Sequence, residues 1–431
     1  MVHSTKRRVV ITGLGVVAPN GIGKEDFWNA CIAGRSGVRR ITRFDASPLS
    51  TQIAGEIANF NPLTLGIRAE EAFSLDRGAQ FALAAANLAL EDAAFHSQLS
   101  EAERDQFGVY LGSAMAAVEE GEKLWIQLTD RGAHSPDAAM SDVIPVTMLS
   151  SFVPASIVSA YYQLHGPCIV ISTGCSAGAD AIGEAFWAIQ EKRADRMLAG
   201  GSDSAISYGG LNVFCVMRAL STSNEEPERA SRPYDRNRNG FVMAEGAGVL
   251  VLEERAIALA RGAHIYAELL VFTSNNNAYH MTALPENGAP LQQLLRQTLY
   301  EAGITPEQLD YINSHGSSTL LNETAETAAY KAVFGERAYH IPISATKSMI
   351  GHTQGAASAI ETILTALVIE RQVIPPTINQ EQVDPLCDLD YVPNVARQAA
   401  VNVALTHSSG FGGVNSALIL ARPDWIDTYG G

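Results

Sequence analysis

A chain of 431 residues, 47% hydrophobic and 18% charged, has the makeup of a globular protein and the length for two core-sized units. Its formal charge of −16 excludes a surface built to neutralise nucleic-acid phosphates, and small polar residues and glycine interrupt every apolar run before it reaches membrane-spanning length. The five cysteines (Cys31, Cys168, Cys175, Cys215, Cys387) are scattered without CxxC spacing, which points away from a disulfide framework or zinc site; four of them read as buried reduced thiols.

The first element, "KRRVVITGLGVVAP", has the basic-then-apolar order of a signal peptide. Its Val/Ile content, its two glycines and the absence of a small-x-small cleavage site make it a β-strand instead, and a cytoplasmic protein is the expectation. Gly13-x-Gly15-x-x-Ala18 imitates a dinucleotide fingerprint, but Pro19-Asn20-Gly21 ends any helix that would carry the pyrophosphate.

Further along, the strand-like runs "FGVYLGS", "PCIVIST" and "GVLVLEE" alternate with helix-like "AQFALAAANLALEDA" and "DAIGEAFWAIQEKRA", the pattern of an α/β protein with buried sheets. The hydrophilic stretch 223–240 reads as a long surface connection. Within it "DRNRNGFVMAEG" places Asp235, Asn237, Asn239 and Gly240 like a calcium loop, but Gly246 stands where the bidentate Glu belongs; no metal site is predicted.

After "PCIVIST" comes Cys175, in a Gly/Ser/Ala turn opening a helix. The N–H groups and positive end of that helix are expected to lower its thiol pKa and favour the nucleophilic thiolate. The same "GCSAG" is formally the G-x-S-x-G elbow of a serine hydrolase, with Ser176 as nucleophile. Two histidines lie in later small-residue turns, His315 in "YINSHGSST" and His352 in "TKSMIGHTQGAA", with Lys347 five residues before the second.

An internal echo favours Cys175 over Ser176. Gly174-Cys175-Ser176-x-Gly178-Ala179 matches Gly351-His352-Thr353-x-Gly355-Ala356, so His352 pairs with Cys175 at a spacing of 177 residues. Two related halves, 1–258 with the Cys and 259–431 with both His, would bring these side chains to one pseudo-symmetric centre.

At these residues the chain resembles a β-ketoacyl-acyl carrier protein synthase of the type II class, in the thiolase-like superfamily. The likeness runs end to end through "VVITGLGVVAPNG", "STGCSAGADAIG", "ALSTSNEEPERASRPYDRNRNGFVMAEGAGVLVLE", "NAYHMTALPENG", "NSHGSSTLLNETAE", "TKSMIGHTQGAASAIE" and "SSGFGGVNSALIL". The resemblance implies a five-layered α-β-α-β-α fold of two similar halves, and a dimer. It also implies decarboxylative Claisen condensation of a Cys175-bound acyl chain with malonyl-acyl carrier protein. His315 and His352 would promote decarboxylation and stabilise the enolate, with Lys347 and Glu326 as a supporting charged pair.

The backbone N–H groups of Cys175 and Phe411 would form the oxyanion hole, and the Phe411 side chain would gate the acyl pocket. Ser317 and Thr319 match hydroxyls that hold the phosphopantetheine arm, Asn277 falls in the second gating loop, and Met115 matches the lining of the acyl pocket. No metal or organic cofactor is implied beyond the arm of the acyl carrier protein. The partner subunit is an identical chain or a chain-length factor; a noncatalytic chain-length-factor-like role for this chain itself would require the nucleophile to be missing. Arg68 and Arg77 are candidates for docking the acidic carrier.

A thiolase would add a second catalytic Cys, yet Cys215 and Cys387 lie in no matching turn, and starter-type synthases carry Asn for one His. The chain departs from the fatty-acid pattern at Gly174 (Ala common), Ser317 (Thr), Glu323 (Asp), Asn277 (Asp), His407 (Asn) and Ser409 (Phe). These departures tilt the expectation from fatty-acid elongation toward polyketide or polyene synthesis.

Overall fold

The computed structural model describes residues 6–95, 99–135 and 151–429. Ten of the eleven strands in its main sheet lie on one path: β1 (Val9–Ala18), β2 (Phe107–Gly112), β3 (Cys168–Ile171), β4 (Arg196–Asp203), β5 (Gly246–Glu254), β6 (Ala267–Asn276), β7 (Tyr311–Asn313), β8 (Ile343–Ser344), β9 (Val403–Ser409) and β10 (Val414–Ala421). They follow the spatial order β8-β7-β9-β10-β6-β1-β5-β4-β2-β3.

The path divides into two equivalent fives. In the first, β2 pairs in parallel with β3 and β4, and the antiparallel pairs β4·β5 and β5·β1 follow. In the second, β7 pairs in parallel with β8 and β9, and the antiparallel pairs β9·β10 and β10·β6 follow. The fives meet where Val9–Ile11 of β1 pairs with Ala267–Leu269 of β6.

Five helices complete the layers: α1 (Arg77–Asp92), α2 (Ala177–Gln190), α3 (Ala289–Ala302), α4 (Leu320–Phe334) and α5 (Ala357–Arg371). Helices α2 and α5 lie between the two fives and touch strands of both, while α1 covers the outer face of the first and α3, with α4 against it, that of the second. The result is the five-layered α-β-α-β-α fold. Three apolar clusters correspond: Phe186, Ile360 and Leu418 in the centre; Phe81, Val249 and Leu198 under α1; Leu295, Tyr330 and Ile419 under α3 and α4.

Helix α5 is buried from Ala357 through Ile369, a run of apolar and small residues in which Glu361 alone is charged. Gly13 and Gly15 belong to this packing and not to a nucleotide: a Cβ at either would lie 2.2 Å from the Ala89 carbonyl or 1.9 Å from that of Ala85, so their absence lets α1 press onto β1. Among the described residues no helix is long and apolar enough to cross a membrane.

The internal echo is real in placement and shifted in register. Each five sends its outermost strand (β3 or β8) through a 3₁₀ turn into a central helix; the turns begin at Gly174 and Gln354 and the helices at Ala177 and Ala357, a spacing of 180. His352 therefore sits ahead of its turn, while Cys175 sits inside its own. The extra short helix Lys347–Ile350 after β8 supplies the difference. Of the four cysteines read as buried, Cys31 and Cys387 are; Cys168 is exposed and Cys215 partly so, because Cys168 starts an edge strand.

Candidate active site

Cys175 lies where a 3₁₀ turn (Gly174–Ser176) runs into α2. Gly174 has φ 63°, a left-handed conformation that glycine adopts without strain, and a Cβ there would stand 3.2 Å from the Phe411 carbonyl. The Cys175 carbonyl accepts hydrogen bonds from Ser408 Oγ (3.1 Å) and Ser358 Oγ (3.3 Å), fixing the turn to both β9 and α5.

Only 9% of Cys175 is exposed, and burial pushes its thiol up to about 11, against the pull of Lys347 and of the Phe411 and Cys175 N–H groups. The expected lowering at a helix terminus is thus overturned: desolvation of a thiolate in this closed site outweighs the nearby donors.

Ser176 is fully buried, and its Oγ donates to the Val414 carbonyl at 3.1 Å. It does not line the cavity that Cys175 lines, so the elbow reading fails on geometry.

His315 follows β7 and His352 follows the short helix Lys347–Ile350; their ring centroids are 5.4 Å apart at 80°. Both line a cavity of about 400 Å³ together with Cys175, Ser317, Thr319 and Phe411. The His352 turn is bound to the first half of the chain: its N–H donates to the Val242 carbonyl (2.7 Å) and its carbonyl accepts from Ala244 N–H (2.9 Å).

Hydrogen bonding assigns the tautomers. His352 Nδ1 accepts from the Gln354 N–H at 3.1 Å, so a neutral ring carries its proton on Nε2. That Nε2 is buried without a partner among the described residues. His315 Nδ1 faces both the Lys347 amino group and Ser408 Oγ at 3.3 Å; an ammonium only donates, so the Lys347 contact favours the proton on Nε2. Burial first, then the Lys347 charge, holds both rings well below the ordinary histidine pKa, so they stay neutral at physiological pH.

The expected Lys347–Glu326 pair is not formed. Lys347 Nζ pairs with Glu361 Oε1 of α5 at 2.5 Å, and its remaining hydrogens reach the His315 carbonyl (2.7 Å) and His315 Nδ1. Glu326 accepts from the Tyr234 hydroxyl and from the Gly316 N–H at 3.2 Å, supporting the turn after His315 from below. The spacing that brings Lys347 near His315 belongs to a loop, so sequence alone left its acid partner undetermined. The signal was available in Glu361, the one charged residue in the buried run Ala357–Ile369 of α5.

The other expected residues fall around this centre. Phe411, 37% exposed, stacks on Phe214 at 6.3 Å, and its turn adjoins Cys175: a Cβ on Gly410 would be 3.0 Å from the Cys175 nitrogen. Ser317 and Thr319 are linked through their hydroxyls at 3.0 Å. Asn277 accepts from Asn415 Nδ2 at 2.8 Å and borders a small neighbouring cavity with Glu326 and Ser409.

Met115 does not line the Cys175 cavity; it packs half-buried against the apolar cluster of Leu211, Phe214 and Phe241. Arg77 is occupied internally, with Nη2 2.7 Å from Glu245 Oε1, which removes it as a docking candidate. Arg68 is exposed, pairs with Glu71 and lies over the Tyr161 ring.

Asp203, which sequence reasoning missed, joins the halves. This buried carboxylate at the end of β4 accepts from Ser113 Oγ (2.7 Å), Ala114 N–H (2.8 Å), Met115 N–H (3.0 Å) and Gly355 N–H (2.6 Å).

Comparison with known proteins fits this arrangement. The β-ketoacyl synthase N-terminal domain model matches residues 6–258 and the C-terminal domain model residues 266–381. The chain belongs to the β-ketoacyl synthase family. It is accordingly an acyltransferase.

It is 43% identical to the tetracenomycin polyketide synthase ketoacyl synthase alpha subunit of Streptomyces glaucescens, over 98% of this chain and 99% of the relative. It is also 43% identical to 3-oxoacyl-[acyl-carrier-protein] synthase 2 of Coxiella burnetii, over 97% and 99%. A solved structure of a type II polyketide synthase acyl carrier protein with its ketosynthase bound to the hexaketide matches with TM-score 0.89 and 38% identity, over 97% of this chain and 100% of that one. The ishigamide ketosynthase/chain length factor matches with TM-score 0.87 and 32% identity, over 97% and 100%.

Proposed function

We propose that this β-ketoacyl synthase condenses a Cys175-bound acyl chain with malonyl-acyl carrier protein, with loss of CO2, in type II polyketide or polyene biosynthesis. The observation that carries the reading is one sulfur and two buried imidazoles lining a single cavity.

In the first step Cys175 Sγ bonds to the acyl carbon, the carrier thioester C–S bond breaks, and the thiol proton leaves on the pantetheine sulfur. The oxygen charge that develops is met by the Cys175 and Phe411 N–H groups. In the second step the malonyl C–C bond breaks, CO2 departs, and the electron pair moves onto the thioester oxygen as an enolate. Donors from His315 and His352 Nε2 stabilise that oxygen, and neutral rings serve because they need not lose a proton to donate.

In the third step the enolate carbon bonds to the acyl carbon, the Sγ–C bond breaks, and the sulfur recovers a proton from solvent. Ser317 and Thr319 hydroxyls hold the pantetheine arm, Phe411 closes the acyl side, and no metal or further cofactor enters. Burial of Cys175 keeps water from the acyl-enzyme until the carbanion forms.

The partner subunit, a second copy of this chain or a chain length factor, is placed on the edge of β3. That strand has no neighbour on its outer side among the described residues, begins with exposed Cys168 and leaves Ile169 47% exposed. The enzyme is assigned to the cytoplasm. The test is incubation with acyl- and malonyl-carrier proteins. A β-ketoacyl product two carbons longer is expected, absent in Cys175→Ala; turnover persisting in Cys175→Ala would refute the assignment.

A further inference from the structure

Gln354 lines the Cys175 cavity, is 3% exposed, and plays no part in the chemistry above through its side chain. Its backbone is fully committed. The N–H fixes His352 Nδ1, φ is 52° although the residue is not glycine, and the next residue, Gly355, is held by Asp203, which also holds the Met115 turn. A left-handed non-glycine residue is costly and persists only where the surroundings enforce it.

The carboxamide, in contrast, is almost unspent. Nε2 makes one long contact, 3.5 Å to the His352 carbonyl, and Oε1 accepts no hydrogen bond among the described residues. A buried amide offers two donors and two acceptor sites, and leaving them unmatched beside an apolar ligand is unfavourable. Ser409, also bordering the cavity, adds a hydroxyl on the side of the gate.

We infer that the Gln354 side chain selects the acyl group on Cys175, favouring chains with an oxygen on the β-carbon over saturated chains of equal length. The reasoning rests on the reading of Cys175 as the acylated nucleophile. A β-carbonyl or β-hydroxyl can pair with an amide that a saturated chain leaves unpaired, and sites built around buried polar groups reject analogues lacking the partner more strongly than apolar sites reject an added methylene.

The experiment measures acylation of Cys175 by intact mass, using acetoacetyl and butyryl pantetheine thioesters in competition, on the full chain and on Gln354→Met and Gln354→Ala. Wild type is expected to prefer acetoacetyl by about tenfold or more, the discrimination that one unpaired buried polar group supplies. Both variants are expected to bring the ratio near one. A wild-type preference for butyryl, or a ratio unchanged in a variant that melts like wild type, overturns the inference alone. Acylation with neither thioester, in a protein that melts cooperatively, overturns it together with the reading beneath it.

Discussion

Lys347 sits between Glu361 and His315, its amino group 2.5 Å from one carboxylate oxygen and 3.3 Å from the imidazole Nδ1. All three residues are buried, so the pair is a fixed part of the site and cannot be screened by solvent. Replacing Glu361 by Ala leaves a buried amine without its counter-charge and is expected to cost about 3–5 kcal/mol, read as a lower denaturation midpoint. Condensation should fall with it, because the group that assigns the His315 tautomer loses its anchor. Glu361→Gln keeps an acceptor and should lose less stability. Equal effects of Glu361→Gln and Glu326→Gln on the His315 environment, followed by imidazole NMR, would contradict the pairing.

Asp203 concentrates four donors on one carboxylate and thereby ties the Met115 turn of the first half to Gly355 of the second. Asp203→Ala strands all four. With a desolvation penalty of about 1–3 kcal/mol for each donor left unsatisfied, a loss beyond about 3 kcal/mol is expected even if water rescues some of them. Asp203→Asn retains one acceptor oxygen and should recover part of that loss. Urea denaturation of the two variants checks the order; a fully wild-type midpoint for Asp203→Ala would remove the proposed tie.

These two sites show which parts of the molecule could be read ahead of its coordinates. The α/β class with buried sheets was legible because buried strands impose composition, an imprint that β1 carries along its whole length, whereas the five layers followed only from the resemblance. Cys175, His315 and His352 were legible because small residues bracket them in turns. What escaped was set by side-chain direction across long separations: Lys347 reaches Glu361 and not Glu326, and Asp203 reaches a turn about 150 residues away. The register of the echo escaped because the short helix after β8 carries no repeat partner after β3.

The edge of β3 predicts how the chain assembles. Ile169 is 47% exposed on a strand whose outer hydrogen-bonding side is free among the described residues. Light scattering of wild type, alone or with its partner subunit, is expected to give a dimer, and Ile169→Asp to weaken it at least tenfold by placing charge in an apolar contact. Unaltered assembly in Ile169→Asp would move the interface elsewhere.

The thiol of Cys175 makes the last prediction, and its sign follows from burial. Pushed up to about 11, the thiol in the free enzyme is overwhelmingly protonated at neutral pH, so the reactive thiolate is a small fraction that grows about tenfold for each unit of rising pH. Alkylation of Cys175 by iodoacetamide should therefore climb without a plateau from about pH 6 to about pH 9. The two imidazoles do not bend this profile, since both are held neutral well below the ordinary histidine range. Removing Lys347, whose charge favours the thiolate, should slow alkylation at every pH in that window. A plateau near neutrality would instead mean that the helix terminus and the Phe411 N–H outweigh desolvation, and that the enzyme keeps a ready thiolate before any thioester arrives.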